Sequence, residues 1–194
     1  MRYFTSDTHF GHANIIKYCN RPFKDVSHMN EVLIANWNAV VGEDDVVYHL
    51  GDVALGPWTE WDGILTRLNG RKVLVVGNHD RIFEGESEKQ RDRFAEHYAK
   101  WFDEIHHGYA ITNVGDHFPI MSHFPYEADH TNDARYMEFR PKDEGNVLIH
   151  GHTHENNIVS RSAKGTLQIH VGADAWEYTP VSEDQIVTIL ESQL

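Results

Sequence analysis

Short apolar runs alternate with polar, glycine-containing stretches along the whole chain, and the length of each run limits what it can become. Runs of four to six residues fit strands. They fall at Arg2–Ser6, Asp45–Leu50, Lys72–Val76, Pro119–Ser122 and Asn146–His150, with a later pair at Ile158–Arg161 and Thr166–Val171. Ala163-Lys164-Gly165 separates that pair and suits a hairpin turn. Met29, Val32, Leu33, Trp37 and Val40 recur at three- and four-residue steps, which predicts a helix over Ser27–Val41 with one face covering a sheet. Weaker helical patterns occupy Trp58–Leu68 and Glu86–Trp101, the second charged enough to lie on the surface. Ser182, three residues before Gln185, reads as a capping box opening a short last helix or, on a weaker pattern, a last strand. Tyr126–Gly145 is polar and without a period, as a long functional loop would be. Strands and helices interleaved in this order describe a layered α/β chain without internal repeats.

Composition narrows the class. A chain of 194 residues suffices for one domain with a sizeable core, so residues 1–194 are expected to form a single domain. Hydrophobic residues at 40% and charged residues at 24% are those of a soluble globular protein. Lys plus Arg number 17 against 30 Asp plus Glu, a formal charge of −13, which opposes broad attraction to nucleic acid or to an anionic membrane. A long nucleic acid is therefore the least expected partner, and a local phosphate site is not excluded. Cys19 is the only cysteine, which rules out an internal disulfide and a zinc site built on cysteines and fits a reducing cytoplasm. The N-terminus lacks the apolar stretch of a signal peptide, and no run approaches the ~18 residues that span a bilayer. A cytoplasmic location is expected. Fifteen histidines stand out, since protonating all of them would move the charge from −13 to +2.

The polar groups with chemistry fall at strand ends. Asp7 and His9 follow the first strand, Asp52 the second, and Asn78, His79 and Asp80 the third. His123 ends the run Pro119–Ser122, and His152 and His154 follow Asn146–His150. Ligands of α/β sheets bind outside the carboxyl ends of the strands, so these five segments can converge although they run from Asp7 to His154. In extended chain, residues i and i+2 project to one side, which lets Asp7 with His9, and His152 with His154, aim together. Gly51, Gly77 and Gly151 allow tight turns and close approach of the backbone. Oxygen and imidazole donors without thiolate suit Mn²⁺, Fe²⁺, Zn²⁺ or Ni²⁺. Seven donors exceed what one ion uses, whereas two ions ~3.5–4 Å apart, bridged by a carboxylate, account for them and clamp a phosphoryl group. Without metal, Asp7 and Asp52 at close range would repel and raise one another's pKa.

At these residues the chain resembles the calcineurin-like metallophosphoesterase superfamily, whose ordered signature is matched by Asp7-Thr8-His9, Gly51-Asp52, Gly77-Asn78-His79-Asp80, His123 and Gly151-His152-Thr153-His154. The stretch Ser6 to His12 is similar to that of the small, cap-less bacterial and phage-type members. The resemblance covers Met1 to about Val171 and implies a two-sheet β-sandwich flanked by helices. It implies two divalent ions, Mn²⁺ foremost, one taking Asp7, His9, Asp52 and His154 and the other Asp52, Asn78, His123 and His152, with Asp52 as the bridge. It also implies in-line attack by a metal-bridging water or hydroxide, with His79 giving a proton to the leaving oxygen and Asp80 holding the tautomer of His79. The protein Ser/Thr phosphatases of the superfamily carry an acidic residue and an arginine soon after the bridging Asp, where this chain has Val53-Ala54-Leu55-Gly56. His12, Asn14, Arg81 or Arg21 are the groups left to meet phosphate oxygens, with His12 and Asn14 favoured because they follow Asp7 and His9.

Simpler roles are assigned elsewhere. Ser6-Asp7-Thr8-His9 alone reads as a capping turn, and the other four motifs override that. His49 and His150 lie inside strands beside motif residues and are read as supports or core groups. His28, His97, His106, His107, His117, His130 and His170 lack a motif partner and are read as surface or satisfied interior residues. Trp37, Trp58 and Trp61 fit helix packing, and Trp176 and Tyr178 are possible borders of the cleft. No glycine pattern for a nucleotide cofactor occurs. Two functions follow: a dinuclear metal-dependent phosphoesterase acting on a phosphomono- or phosphodiester of a small or nucleotide-like substrate, or a metal-binding scaffold that uses the same fold to hold a partner protein. The intact set of seven donors and His79 favours the enzyme.

Overall fold

The computed structural model describes residues 1–127, 129 and 135–194. The chain runs β1 (Arg2–Thr5), α1 (Ile15–Tyr18), α2 (Val26–Val40), β2 (Val46–His49), α3 (Asp62–Leu65), β3 (Arg71–Val75), α4 (Glu88–Trp101), β4 (Glu104–His106), β5 (Tyr109–Ile111), β6 (Ile120–Ser122), β7 (Leu148–His150), β8 (Val159–Arg161), β9 (Leu167–His170), β10 (Val181–Ser182) and α5 (Glu183–Gln193). Two mixed five-stranded sheets form, ordered β10-β1-β2-β3-β4 and β5-β6-β7-β9-β8. In the first, β1 to β4 are parallel and β10 is antiparallel. In the second, β6, β7 and β9 are parallel and the edges β5 and β8 antiparallel. The expected two-sheet sandwich flanked by helices is therefore the architecture.

Strand alternation divides the core. Tyr3, Val47 and Leu74 point from the first sheet towards Met29, Leu33 and Trp37 of α2 and towards Trp61 and Tyr98. Phe4, Leu50 and Val75 point the other way, into the space shared with Ala110, Met121, Ile149, Leu167 and Ile169 of the second sheet. α5 adds Ile186 and Leu190 to this inner core. Parallel central strands covered on both faces explain why residues 73–76, at the end of β3, read as a continuous apolar run.

Some elements differ from the sequence pattern. Trp58–Leu68 yields a 3₁₀ turn at Trp58–Glu60 and then only the short α3. Gly63 lowers helix propensity there, while Trp61 is fixed by its contacts with Tyr98 and Trp101. β4 and β5 carry only three residues each and are partly exposed, too short for alternation to register. The two alternatives at Ser182 both occur: β10 ends on it, and its hydroxyl accepts from Gln185 N–H at 3.3 Å while Gln185 accepts from Ser182 N–H at 2.9 Å. Within the expected long loop, Tyr126 and Arg140 are buried anchors, Met137–Phe139 forms a 3₁₀ turn, and residues 128 and 130–134, His130 among them, lie outside the described residues. No helix among the described residues is long and apolar enough to cross a membrane.

Because α5 seals the inner core, Leu190→Ala is expected to cost about 2–5 kcal/mol of stability and Ser182→Ala about 1 kcal/mol, both read from urea unfolding midpoints.

Candidate metal centre

The loops following β1, β2, β3, β6 and β7 meet at one end of the sandwich, where backbone bonds lock them together. Asp7 N–H donates to the Gly51 carbonyl and His9 N–H to that of Asp52, each at 3.0 Å, while Gly151 N–H donates to the carbonyl of His123 at 3.0 Å. Asp7, His9, Asp52, His152 and His154 all take left-handed backbone conformations, with φ between 50° and 72°. Non-glycine residues seldom do so, and such strain persists where the surroundings over-determine it and a function uses it. Gly151 shows how close the loops come, since a Cβ on it would lie 2.0 Å from Ser6 Oγ and 2.4 Å from Asp7 Oδ2.

The donors converge as the motif spacing requires. Asp7, His9 and His154 bring ligand atoms within 4.8 Å of one another, and so do Asp7, Asp52 and His123. Asp52 Oδ2 lies 3.6 Å from His9 Nε2 and 3.5 Å from His123 Nε2, placing this oxygen between two imidazoles. Its other oxygen accepts from His79 N–H at 2.7 Å. Two donors on one ion at ~2.1 Å stand roughly 3.0–3.6 Å apart at angles of about 90–120°. The observed spacings are of that size.

Tautomers and unmet groups test whether an ion fits. His123 Nδ1 is 2.8 Å from the Leu50 carbonyl, which only accepts, so Nδ1 carries the proton and Nε2 is left a lone pair. That lone pair faces Asn78 Oδ1 at 3.0 Å, two acceptors turned towards one point. His154 Nδ1 is 2.9 Å from Asp174 Oδ2, and its Nε2 faces Asp7 Oδ1 at 3.8 Å. Asp7 Oδ1 and His9 Nε2 are buried and without a hydrogen-bond partner among the described residues. Acceptors that are buried, unmet and mutually facing fit divalent cations.

The Asp7 carboxyl is not raised, as repulsion by Asp52 would have it, because imidazoles surround it. Against a burial that raises it, His154, His123 and His9 hold the Asp7 carboxyl below the usual carboxylate range. Burial and neighbouring His154 push His9 down, and burial with His123 takes His152 to about 2, so both rings are neutral donors. His154 behaves oppositely: burial lowers it, but Asp174 and Asp7 outweigh that and push it up to about 11. Its proton thus answers the Asp7 charge, and a bound cation would replace that proton.

The remaining predicted residues divide. His79 is exposed, with its ring 5.6 Å from that of His9. His12 sits at the same rim, its Nδ1 3.2 Å from His9 Nδ1. Asn14 is exposed ahead of α1 and makes no capping bond. Asp80 does not hold His79. Its carboxylate accepts from the N–H groups of Gly77, Asp52 and Val53 at 2.8, 3.0 and 3.1 Å and meets Tyr98 Oη at 3.3 Å, so it stitches the β2 and β3 loops together. Burial and adjacent Asp52 push it up to about 7. Arg81 turns away from the donors, its guanidinium 5.7 Å from the Trp61 ring and 5.1 Å from that of Phe94. Arg21 is buried and fully engaged, gripping Asp174 through two bonds of 2.8 Å and donating to the carbonyls of Thr8 and Asp7 at 3.0 and 2.7 Å. It holds loops and leaves no donor for a phosphate.

Two acidic residues escaped the sequence reading. Asp174, on the 3₁₀ turn Ala173–Trp176, orients His154 and is itself fixed by Arg21. Asp129 places Oδ1 3.4 Å from His152 Nε2 and pairs with Arg135 and Arg140 at 3.0 and 3.3 Å. Neither lies in a motif, and only the polarity of residues 126–145 hinted at the second. Cys19 also proves to be close, its sulfur within 4.8 Å of ligand atoms of His154 and Asp174. His49 supports Thr8, with Nε2 2.9 Å from its hydroxyl, whereas Trp176 and Tyr178 are engaged in packing, on the His170 carbonyl and the Phe23 ring.

An α/β sandwich with Asp, Asn and His donors gathered at strand ends defines a metal-dependent phosphoesterase class. Residues 3–156 match the family model of calcineurin-like phosphoesterases, and the chain belongs to that family. Relatives extend over nearly its whole length. The Gene 66 protein of Mycobacterium phage L5 is 38% identical, covering 97% of this chain and 93% of its own, and the uncharacterized protein MJ1445 of Methanocaldococcus jannaschii is 36% identical, covering 97% and 90%. The crystal structure of AQ665, a protein of unknown function from Aquifex aeolicus, superposes with a TM-score of 0.71 at 30% identity, over 97% of this chain and 98% of that one. Members of this family use divalent metals, in keeping with the donor groups described.

Removing the carboxylate behind His154 isolates its role. Asp174→Asn is expected to weaken the tighter measured metal-binding step about 10–100-fold, read by titration of the folded protein with Mn²⁺. Gly151→Ala, whose Cβ collides with Asp7, is expected to abolish stoichiometric metal binding in elemental analysis.

Proposed function

We propose that the protein is a dinuclear metal-dependent phosphoesterase that hydrolyses a phosphomono- or phosphodiester of a small or nucleotide-like substrate in a reducing cytoplasm. The observation that carries this reading is Asp52 Oδ2, held between His9 Nε2 and His123 Nε2 at 3.6 and 3.5 Å, with further donors on either side. One divalent ion, Mn²⁺ foremost with Fe²⁺, Zn²⁺ or Ni²⁺ as alternatives, is assigned to Asp7, His9, Asp52 and His154. The second is assigned to Asp52, Asn78, His123 and His152. When bound, such a pair lowers the pKa of a water nucleophile towards ~7 and neutralises charge on the phosphoryl oxygens.

The chain's own groups do the rest. His79, exposed beside His9 and anchored through its backbone N–H on Asp52, is placed to give its ring proton to the leaving oxygen. Its proton has to come from solvent exchange rather than from Asp80, whose carboxylate is occupied by backbone groups. His12, with Nδ1 turned to His9, keeps Nε2 available to donate to a phosphoryl oxygen. The formal charge of −13 disfavours a long polyanion away from the metals.

His79→Ala is expected to retain both metals while kcat falls about 100-fold or more on esters with alkoxide leaving groups, and far less on p-nitrophenyl esters that need no proton. Elemental analysis and kinetics on the two ester types check this. Loss of metal, or an equal fall on both types, would overturn the assignment. No turnover of any phosphoester by protein with two ions bound would overturn the enzymatic reading.

A further inference from the structure

One cavity is lined by cations although the chain as a whole is acidic. A cavity of about 300 Å³ lies between the start of α4 and the 3₁₀ turn Trp58–Glu60, lined by Arg81, Lys89 and Arg93 together with Trp58, Ser87 and Phe94. No carboxylate lines it, and Arg81, Lys89 and Arg93 make no ion pair among the described residues. Several other arginines are answered by acids, as in Arg2 with Glu183, Arg21 with Asp174 and Arg67 with Glu31, and Arg91 and Arg161 are answered by backbone carbonyls. Three cations facing one cavity repel each other, and in a chain of charge −13 that arrangement is relieved by a bound anion.

Arg81 is the most constrained of the three. Its guanidinium lies over the rings of Phe94 and Trp61, and its buried Nε has no hydrogen-bond partner among the described residues. Lys89 and Arg93 lie one turn apart on α4 and are exposed, so both can swing onto a ligand. Ser87 caps the helix by accepting from Gln90 N–H at 3.3 Å, and the positive end of this 14-residue helix opens on the same cavity. Trp58 offers a half-buried ring at the edge.

The cavity adjoins the metal site. Arg81 follows His79 by two residues, and its Nη2 stands 3.5 Å from the Gly56 carbonyl. Gly56 in turn presses on Gly11, whose carbonyl would lie 2.8 Å from a Cβ at Gly56, and His12 is the next residue. Arg81, Gly56 and Gly11 thus connect the cavity to the loops that carry His79 and His12.

We propose that this cavity binds a phosphoryl group of the substrate remote from the bond that is cleaved, so that the favoured substrates carry a second phosphate. This deepens the phosphoesterase reading and rests on it. Arg81, which sequence order pointed towards the scissile phosphate, then acts on the distal one.

Two arms test it with Lys89→Ala/Arg93→Ala, whose exposed positions leave the core intact, as circular dichroism would verify. In the first, the full chain without added metal is titrated with pyrophosphate at low salt, and the double variant is expected to bind at least tenfold more weakly. In the second, metal-loaded protein is given thymidine 5′-(p-nitrophenyl phosphate) and its 3′-phosphorylated form. The wild type is expected to show a lower KM for the 3′-phosphorylated ester, and the double variant to shrink that preference at least fivefold. Unchanged pyrophosphate binding overturns the proposal. So does an absent or unaltered ester preference, which with weakened pyrophosphate binding would mark a site for a separate anion. If neither ester is cleaved, the diester branch of the phosphoesterase reading fails, and the pyrophosphate arm alone still decides whether the cavity is an anion site.

Discussion

Asp7, Asp52, Asp80 and Asp174 carry carboxylates buried at one end of the sandwich, and the way each negative charge is answered organises everything around them. Asp80 is surrounded by backbone N–H groups of the β2 and β3 loops and becomes a fastener. Asp174 is gripped by the Arg21 fork and in turn fixes His154. Asp7 and Asp52 each receive one backbone N–H, from His152 and His79, and keep the other oxygen turned towards imidazole nitrogens. Burying a carboxylate costs several kcal/mol unless it is paired, so these two oxygens are where the fold leaves room for cations.

The same constraint explains the strained backbone. Bringing donors from five loops within a few ångströms forces Asp7, His9, Asp52, His152 and His154 into left-handed conformations, each costing of order 1 kcal/mol or more. Both cores supply the rigidity that holds them there, with Phe10, Leu50 and Val171 buried beside the loops. His79 and His12, the groups proposed to meet substrate, stand outside this locked set at its solvent edge.

Much of this was legible in the sequence for a physical reason. Strand ends in α/β sheets converge, so Asp7, Asp52, Asn78, His123, His152 and His154 could be grouped from order and spacing before any contact was known. Side-chain direction was not legible. Asp80 and Arg81 follow His79 directly, yet one turns inward to backbone amides and the other outward onto Trp61 and Phe94, because the tight turn after β3 rotates successive residues apart. Arg21 and Asp174 are 153 residues apart and meet only through tertiary folding. β4, β5 and β10 were too short for a period to be counted, and Trp58–Leu68 lost its helix to the packing of one tryptophan.

The donors also divide between layers: Asp7, His9, Asp52 and Asn78 belong to loops of the first sheet, and His123, His152 and His154 to loops of the second. Ions shared across that seam would rivet the two halves of the sandwich, so ligand occupancy and resistance to unfolding become one thermodynamic quantity. At a free ion concentration 100 times Kd the linkage is worth about 2.7 kcal/mol per site. On the proposed metal assignment, ion supply would then set resistance to proteolysis as well, because cleavage acts on the opened chain whose population the bound ions reduce.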